Sequence, residues 1–275
     1  MTGTLYIVAT PIGNLADMSA RAIEILRAVD LIACEDTRTT RTLLSHYAIA
    51  TRSVALHEHN ERAASDKLIK ELREGKSIAL VSDAGTPAVS DPGAWLVAEA
   101  HKAGIRVSPV PGASAAAAAF SGAGFPSALF LFAGFLPAQG AARRKALESL
   151  DVPYPVVLYE APHRIDETLK DLAGRLGPDR ELVIARELTK KFEEVVRLPL
   201  GVARGWLAER RERQQGEFVL VLAAGAERRE PGIDGERVLS VLLESLAPSE
   251  AAKLAARITG LPKNALYRKT VERGK

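Results

Sequence analysis

A chain of 275 residues has room for two domains with separate cores, and a composition 47% hydrophobic but only 5% aromatic suits α/β layers better than a β-sandwich. The single cysteine, Cys34, excludes a disulfide framework and a Cys-type zinc site and fits a reducing cytosol; the Met1–Ala9 stretch lacks the pattern of a secretory signal, and no apolar run reaches bilayer length. Net charge is only +3, but ten Lys or Arg against six acids between Arg228 and Lys275 concentrate positive charge in the tail, which suits a polyanion partner or a solvated basic surface.

In chain order, Leu5–Ala9 reads as a first strand and Thr10-Pro11-Ile12-Gly13-Asn14-Leu15 as a tight loop before a helix from about Ser19 to Val29. A dinucleotide-binding protein would carry G-x-G-x-x-G here; a lone Gly13 with Pro11 argues against a nicotinamide cofactor. A second strand, Leu31–Cys34, runs into the charged cluster Glu35-Asp36-Thr37-Arg38, with a helix expected over Thr39–Tyr47. Ser53–Leu56 is a third strand followed by His57-Glu58-His59-Asn60-Glu61. Imidazole and carboxylate are zinc ligands, but the i, i+4 helical spacing is missing and no third ligand is evident. A polar loop is the better reading, with no metal.

Ser77–Val81 is a buried-type strand ending in Ser82-Asp83-Ala84-Gly85-Thr86-Pro87-Ala88-Val89-Ser90-Asp91-Pro92-Gly93, and Pro92 is placed to open a helix running to Ala103. Two aspartates, two glycines and two prolines there fix a backbone with exposed donors at a strand's carboxyl end, where parallel sheets bind ligands. Arg106–Val110 leads through Pro111-Gly112-Ala113-Ser114 into an alanine-rich helix from Ala115, for which Ser114 is a suitable cap. Five strand–helix units thus make a parallel domain over residues 1–122, and Gly122–Ser127 breaks both periodicities.

A second series, residues 123–225, has strands at Leu129–Ala133, Val156–Tyr159, Glu181–Ala185, Glu194–Leu198 and Glu217–Leu222. Its helices fall at Ala141–Leu150, Arg164–Leu176 and Val202–Arg213. The close pair near 181 and 198 predicts an antiparallel hairpin, hence a mixed sheet. Two exits are polar: Glu160-Ala161-Pro162-His163-Arg164 and Arg186 through Glu194. Beyond a linker, three amphipathic helices at Glu236–Leu246, Ser249–Ile258 and Lys263–Arg273 form a helical extension over residues 236–275, with Ser249 a suitable cap and Gly260 in the turn. Lys263, Asn264, Tyr267, Arg268 and Lys269 on the last helix give it a helix-turn-helix look.

The strings Ile7–Leu15, Glu35–Arg38, Val81–Pro87, Pro109–Ser114, Tyr159–Arg164 and Ala185–Lys190 follow one another in the order seen in the tetrapyrrole methylase family, and resemble its ribosomal-RNA-modifying members over nearly the whole chain. The resemblance implies two α/β domains with S-adenosylmethionine in the cleft between them, a homodimer in the cytoplasm, and 2′-O-methylation of a cytidine in the decoding region of small-subunit ribosomal RNA. It carries the cofactor to Pro11, Gly13, Asp83, Gly85, Thr86, Pro87, Ala113, Ser114, Ala115, Tyr159, Ala223 and Gly225. Many family members have G-x-G-P-G in the first loop and Gly-Asp-Pro in the later one. This chain has Thr10-Pro11-Ile12-Gly13-Asn14 and Ser82-Asp83-Ala84-Gly85-Thr86-Pro87, which argues against a porphyrinoid acceptor.

Methyl transfer from a sulfonium needs a positioned acceptor and a proton acceptor, not a metal. Glu187 or Glu160 is expected as that base, with Arg164, Arg186 and Lys190 placing phosphate and ribose, Asp36 and Arg38 completing the RNA site, and Lys263, Arg268 and Lys269 docking RNA. Two competing readings are a C-methylase of a small tetrapyrrole and an adenosylmethionine-responsive DNA-binding regulator.

Overall fold

The computed structural model describes residues 2–225 and 235–272, apart from the side chains of residues 236 and 270–272. The first sheet comprises β1 (Thr4–Val8), β2 (Leu31–Cys34), β3 (Ser53–Ala55), β4 (Ile78–Val81) and β5 (Arg106–Val110), all parallel in the order β3-β2-β4-β1-β5. β2 and β4 are buried at every position, as near-continuous apolar strands must be when helices cover both faces. The crossover helices are α1 (Ala20–Ala28), α2 (Thr37–His46), α3 (Glu61–Arg73) and α4 (Ala94–Lys102). Leu5, Ile78 and Leu80 pack with Leu72 and Leu96 on one face; Val8, Ile32 and Val81 pack with Leu26 and Leu44 on the other.

The starts of these helices are set by side-chain caps. Ser19 accepts from the Ala22 N–H and Asp36 from the Arg38 N–H, each satisfying an orphan donor of the first turn. The helix expected to open at Pro92 instead starts at Ala94, because Glu61 Oε1 reaches across from α3 to accept the N–H groups of Gly93 (2.7 Å) and Trp95 (3.1 Å).

The second sheet comprises β6 (Leu131–Phe135), β7 (Val156–Glu160), β8 (Glu181–Arg186), β9 (Glu194–Pro199) and β10 (Phe218–Leu222), in the order β6-β7-β10-β8-β9. The β8–β9 hairpin is antiparallel, as the spacing predicts, and β10 inserts between β7 and β8 antiparallel to both. One face carries α6 (Gly140–Leu147), α7 (Ile165–Leu176) and α8 (Leu200–Ala208) over a core of Leu158, Leu169, Leu172, Leu220 and Phe218. The other is covered by α5 (Ala115–Ala123), whose Ala116, Ala119 and Ala123 lie against Val157, Val183, Val219 and Val221. Alanine brings the helix backbone close to the sheet, so the last helix of the first series is packed into the second. Residues 1–224 form one compact unit.

Residues 225–275 form a separate unit. It holds α9 (Gly235–Leu243), α10 (Pro248–Thr259) and α11 (Lys263–Glu272) around Leu239, Ala251, Ala252, Ala255 and Leu266. Gly260 ends α10 in the left-handed region, as the turn expected there requires. Ser249 does not cap α10: Ala247 takes that place and Pro248, with its preset φ, occupies the first turn. The linker expected at 226–234 lies outside the described residues. Among the described residues no helix is long and apolar enough to cross a membrane.

Candidate functional site

Four loops leaving the carboxyl edge of the first sheet are tied to one another. Thr10 and Gly85 form a backbone bridge, and Thr10 Oγ1 donates to the Ser82 carbonyl at 3.0 Å. Thr86 Oγ1 donates to the Ala113 carbonyl at 3.1 Å, and the Asp36 N–H to Asp83 Oδ1 at 3.2 Å. Ser114 caps α5 by accepting the Ala117 N–H, as the sequence predicts. Ala88 and Ser90 hold positive φ (64° and 66°), a conformation kept only when surroundings over-determine it and one that clusters in ligand clamps.

Because β10 runs against β7 and β8, the ends of β6, β7 and β8 and the start of β10 share one edge. Phe135, Tyr159, Glu160, Ala185, Glu217 and Phe218 therefore face the first sheet's loops across a cleft. Tyr159 crosses it: its hydroxyl accepts the Ala116 N–H at the start of α5, at 3.2 Å.

Two cavities occupy the cleft. The first, of about 310 Å³, is lined by Ile12, Val89, Phe135, Leu188 and Phe218, by the loop from Asp83 to Asp91, and by Ser114, Ala115 and Tyr159. Its size and its apolar walls with a few convergent polar groups suit a small-molecule site. The second, of about 440 Å³, is lined by Pro11, Gly13, Leu15, Ser82, the α2 residues Thr39, Thr40, Thr42 and Leu43, and Lys190. Ile12, Asp83, Ala84 and Glu217 line both, so the cavities adjoin along that seam.

Lys190 reaches into the second cavity from the second sheet. Its ammonium bonds Glu187 Oε1 and Glu217 Oε2, each at 3.0 Å. A Cβ on Gly13 would fall 2.5 Å from Lys190 Cγ, so this position must be glycine for the lysine stem to cross it. Gly216 serves Glu187 in the same way, with 2.5 Å from its virtual Cβ to Glu187 Cδ. Glu187 and Thr189 also hold positive φ. Burial alone would raise the Glu187 carboxyl, but the Glu217 N–H and the Lys190 ammonium outweigh it and hold the group below its usual range. Those same carboxylates hold Lys190 above its usual value against the opposing effect of burial.

A group of acids surrounds the first-sheet side. Burial, then neighbouring carboxylates, push Glu35 up, while burial raises Asp83 and Asp91. Asp36 is pulled down to about 2, chiefly by the side chain and backbone N–H of its exposed partner Arg38. Among the described residues no three His, Cys, Asp or Glu groups could hold a metal, and the His57 and His59 rings stand 6.0 Å apart.

Of the expected cofactor residues, the structure brings Asp83, Gly85, Thr86, Ser114, Ala115 and Tyr159 to the first cavity and Pro11 and Gly13 to the second. Ala113 supplies the carbonyl that orients Thr86, and Pro87 is buried within the loop. Ala223 is not at the cleft. It lies past the far end of β10, its N–H on Glu181 and its carbonyl on Arg180, and Gly225 lines neither cavity.

Glu160 lines the first cavity but is 2% exposed, and both oxygens are committed. Oε1 accepts the Ala161 N–H at 2.8 Å and lies 2.9 Å from Arg164 Nε; Oε2 accepts from Thr168 Oγ1 at 2.6 Å and from Arg164 Nη2 at 3.2 Å. Arg164 also donates to the Leu136 carbonyl. The pair braces the wall, and in this arrangement both Glu160 oxygens are engaged, unlike the free base and phosphate-placing cation expected of the two.

Arg186 is corrected likewise: it is buried, and its guanidinium donates to the Gln215, Phe192 and Glu212 carbonyls. Arg186→Met is therefore expected to destabilise the fold by roughly 1–3 kcal/mol for the carbonyls left unpaired, read as a lowered melting temperature. Lys263, Arg268 and Lys269 are exposed on α11. Phe135, Leu188, Glu217 and Phe218 were not legible as site residues; their only signal was proximity to strand ends.

The chain matches the tetrapyrrole (corrin/porphyrin) methylases over residues 4–203 and the RsmI C-terminal HTH domain over residues 229–273. Curated relatives named ribosomal RNA small subunit methyltransferase I are similar along nearly their whole length. The protein of Pseudomonas aeruginosa is 49% identical over 98% of each chain. That of Xylella fastidiosa strain Temecula1 is 52% identical over 96% of this chain and 98% of its own, and that of Escherichia coli O157:H7 48% over 98% and 95%. Among solved structures, a diphthine synthase superposes with TM-score 0.62 at 19% identity, covering 81% of this chain and 90% of its own. A uroporphyrin-III-C-methyltransferase from Thermus thermophilus gives 0.56 at 20%, covering 80% and 94%. With a family match over residues 4–203 and relatives about half identical over nearly the full length, this chain belongs to the tetrapyrrole methylase family.

Proposed function

We propose that the protein uses S-adenosylmethionine to methylate the 2′-hydroxyl of a cytidine ribose in the decoding region of small-subunit ribosomal RNA. The observation that carries this reading is the end-to-end match, helical extension included, to relatives named for small-subunit ribosomal RNA. The adjoining cavities support it by giving donor and acceptor separate chambers with a common seam. None of these relatives is named for a tetrapyrrole acceptor or for DNA binding.

The donor set of the first cavity fits the cofactor. Ile12, Val89, Phe135, Leu188 and Phe218 offer apolar walls for a flat base, while Asp91, Ser114 and the backbone of Gly85 and Thr86 offer polar partners for an amino acid and a ribose. Bound there, the donor supplies a methyl group activated by a sulfonium.

The chain's own work is to exclude water and to hold the acceptor in line. Lys190 and the α2 threonines line the second cavity and present cation and hydroxyls to a ribose and phosphate, while the exposed Arg38, held by Asp36 at the start of the same helix, adds a cation for RNA. Residues 1–122 and 123–225 then act as the two jaws and 236–275 as an RNA-docking extension. The exposed Leu129 and Phe130, the latter stacked on Phe120 at 4.4 Å, support a homodimer, and the reaction belongs in the cytoplasm.

Transfer of labelled methyl to small-subunit particles, with the acceptor mapped to a single cytidine 2′-oxygen, is the expected result; a methylated base or no transfer would overturn the reading. Truncation after Gly225 is expected to weaken RNA affinity and flatten its salt dependence, by a slope of about 0.7–0.9 for each phosphate no longer neutralised.

A further inference from the structure

A 2′-hydroxyl must lose its proton during transfer, and four carboxylates line the two cavities: Asp83, Asp91, Glu160 and Glu217. Glu187 lines neither, being turned toward Lys190 and the Glu217 N–H. Glu160 has both oxygens committed, and Asp91 lines only the donor cavity. Glu217, exposed like Asp83, stands on the seam but is ion-paired to Lys190 at 3.0 Å.

Asp83 differs from all of these. It stands on the seam and is held by the rigid loop that the Thr10–Gly85 bridge closes. Its Oδ1 is oriented by the Asp36 N–H at 3.2 Å.

Given the methyl transfer proposed above, on which this step rests, we infer that Asp83 is the catalytic base that takes the proton of the acceptor 2′-hydroxyl. The groups facing it are Cys34, Glu35, Asp36, Asp91, Arg38 and Thr39. Burial and the Asp36 charge make its carboxylate more basic than an ordinary aspartate, while the Asp36 N–H, Thr39 and Arg38 limit the effect. As the acceptor oxygen bonds to the methyl carbon, its O–H bond gives the proton to an Asp83 oxygen. The carbon–sulfur bond leaves its electron pair on sulfur, yielding a neutral thioether, and Asp83 later releases the proton to water.

The test is Asp83→Asn in the full chain, with wild type alongside, by single-turnover methylation of small-subunit particles across pH and by calorimetry with S-adenosylhomocysteine. Expected are a fall in rate of at least about 100-fold and loss of the acid limb of the pH profile, with product affinity held within about threefold. Asp83→Glu is expected to keep that limb and recover part of the rate. An Asn variant with an unchanged profile would overturn the inference alone, as would one that loses product binding, since Asp83 would then be a cofactor ligand. A wild-type enzyme that binds product but methylates no ribosomal RNA would overturn the reading and, with it, this assignment.

Discussion

Arg164→Met is expected to lower the free energy of unfolding by about 3–5 kcal/mol, because it strands a carboxylate in the protein interior. The Glu160 side chain is 1% exposed and Arg164 is its only cationic partner among the described residues, so the variant must bury an uncompensated charge or protonate it. In a unit of this size that loss corresponds to a fall in melting temperature of roughly 10 °C. The double variant Glu160→Gln, Arg164→Met is expected to recover much of it, because Thr168 and the Ala161 N–H can still be paired by an amide. Equal melting temperatures for single and double variants would show that the pair is not coupled as the geometry requires.

Lys190→Met is expected to reduce methyl transfer by about 100-fold while leaving S-adenosylhomocysteine affinity nearly unchanged, since the lysine lines the acceptor cavity but not the donor cavity. It also fixes the pH window over which the Glu187–Lys190 pair supports the fold. Glu187 is depressed, so its contribution is present above its unfolded value and is lost as pH falls through the folded one. Lys190 is raised, so its contribution is present below its unfolded value and is lost only as pH climbs through the folded one. The melting difference between wild type and variant is therefore expected to be flat from roughly pH 5 to 10 and to shrink below it. A difference that grows in acid would show that Glu187 is not held by Lys190.

Much of this site was legible because apolar runs end abruptly. Leu31–Cys34 and Ile78–Val81 stop at Glu35 and Ser82, and a buried parallel strand can change character only where it leaves the sheet. The loops carrying Gly13, Asp83, Gly85 and Ser114 were found that way. The direction of β10 was not legible. Phe218-Val219-Leu220-Val221-Leu222 is buried at all five positions, so its pattern is the same whichever way it runs. The resemblance carried the cofactor to Ala223 and Gly225, which line neither cavity, while Glu217 and Phe218 at the start of β10, which do, went unnoticed.

The setting of the carboxylates was not legible for another reason. Sequence gives a charged residue at a strand exit but not the way its side chain turns. Thr168, one turn into α7, draws Glu160 inward, and positive φ at Glu187 folds that side chain back beneath Lys190. Only tertiary packing separates a brace from a reacting group.

The most direct measurement for the central claim, that the two sheets enclose a donor chamber opening onto an acceptor chamber, is a crystal structure of the full chain with S-adenosylhomocysteine. The product is expected in the cavity bounded by Asp83, Ser114, Tyr159 and Phe218, its sulfur pointing to the seam formed by Ile12, Asp83 and Glu217. Density for it beyond Ala223 at the far end of β10, or on the face of α11, would contradict the arrangement of the site.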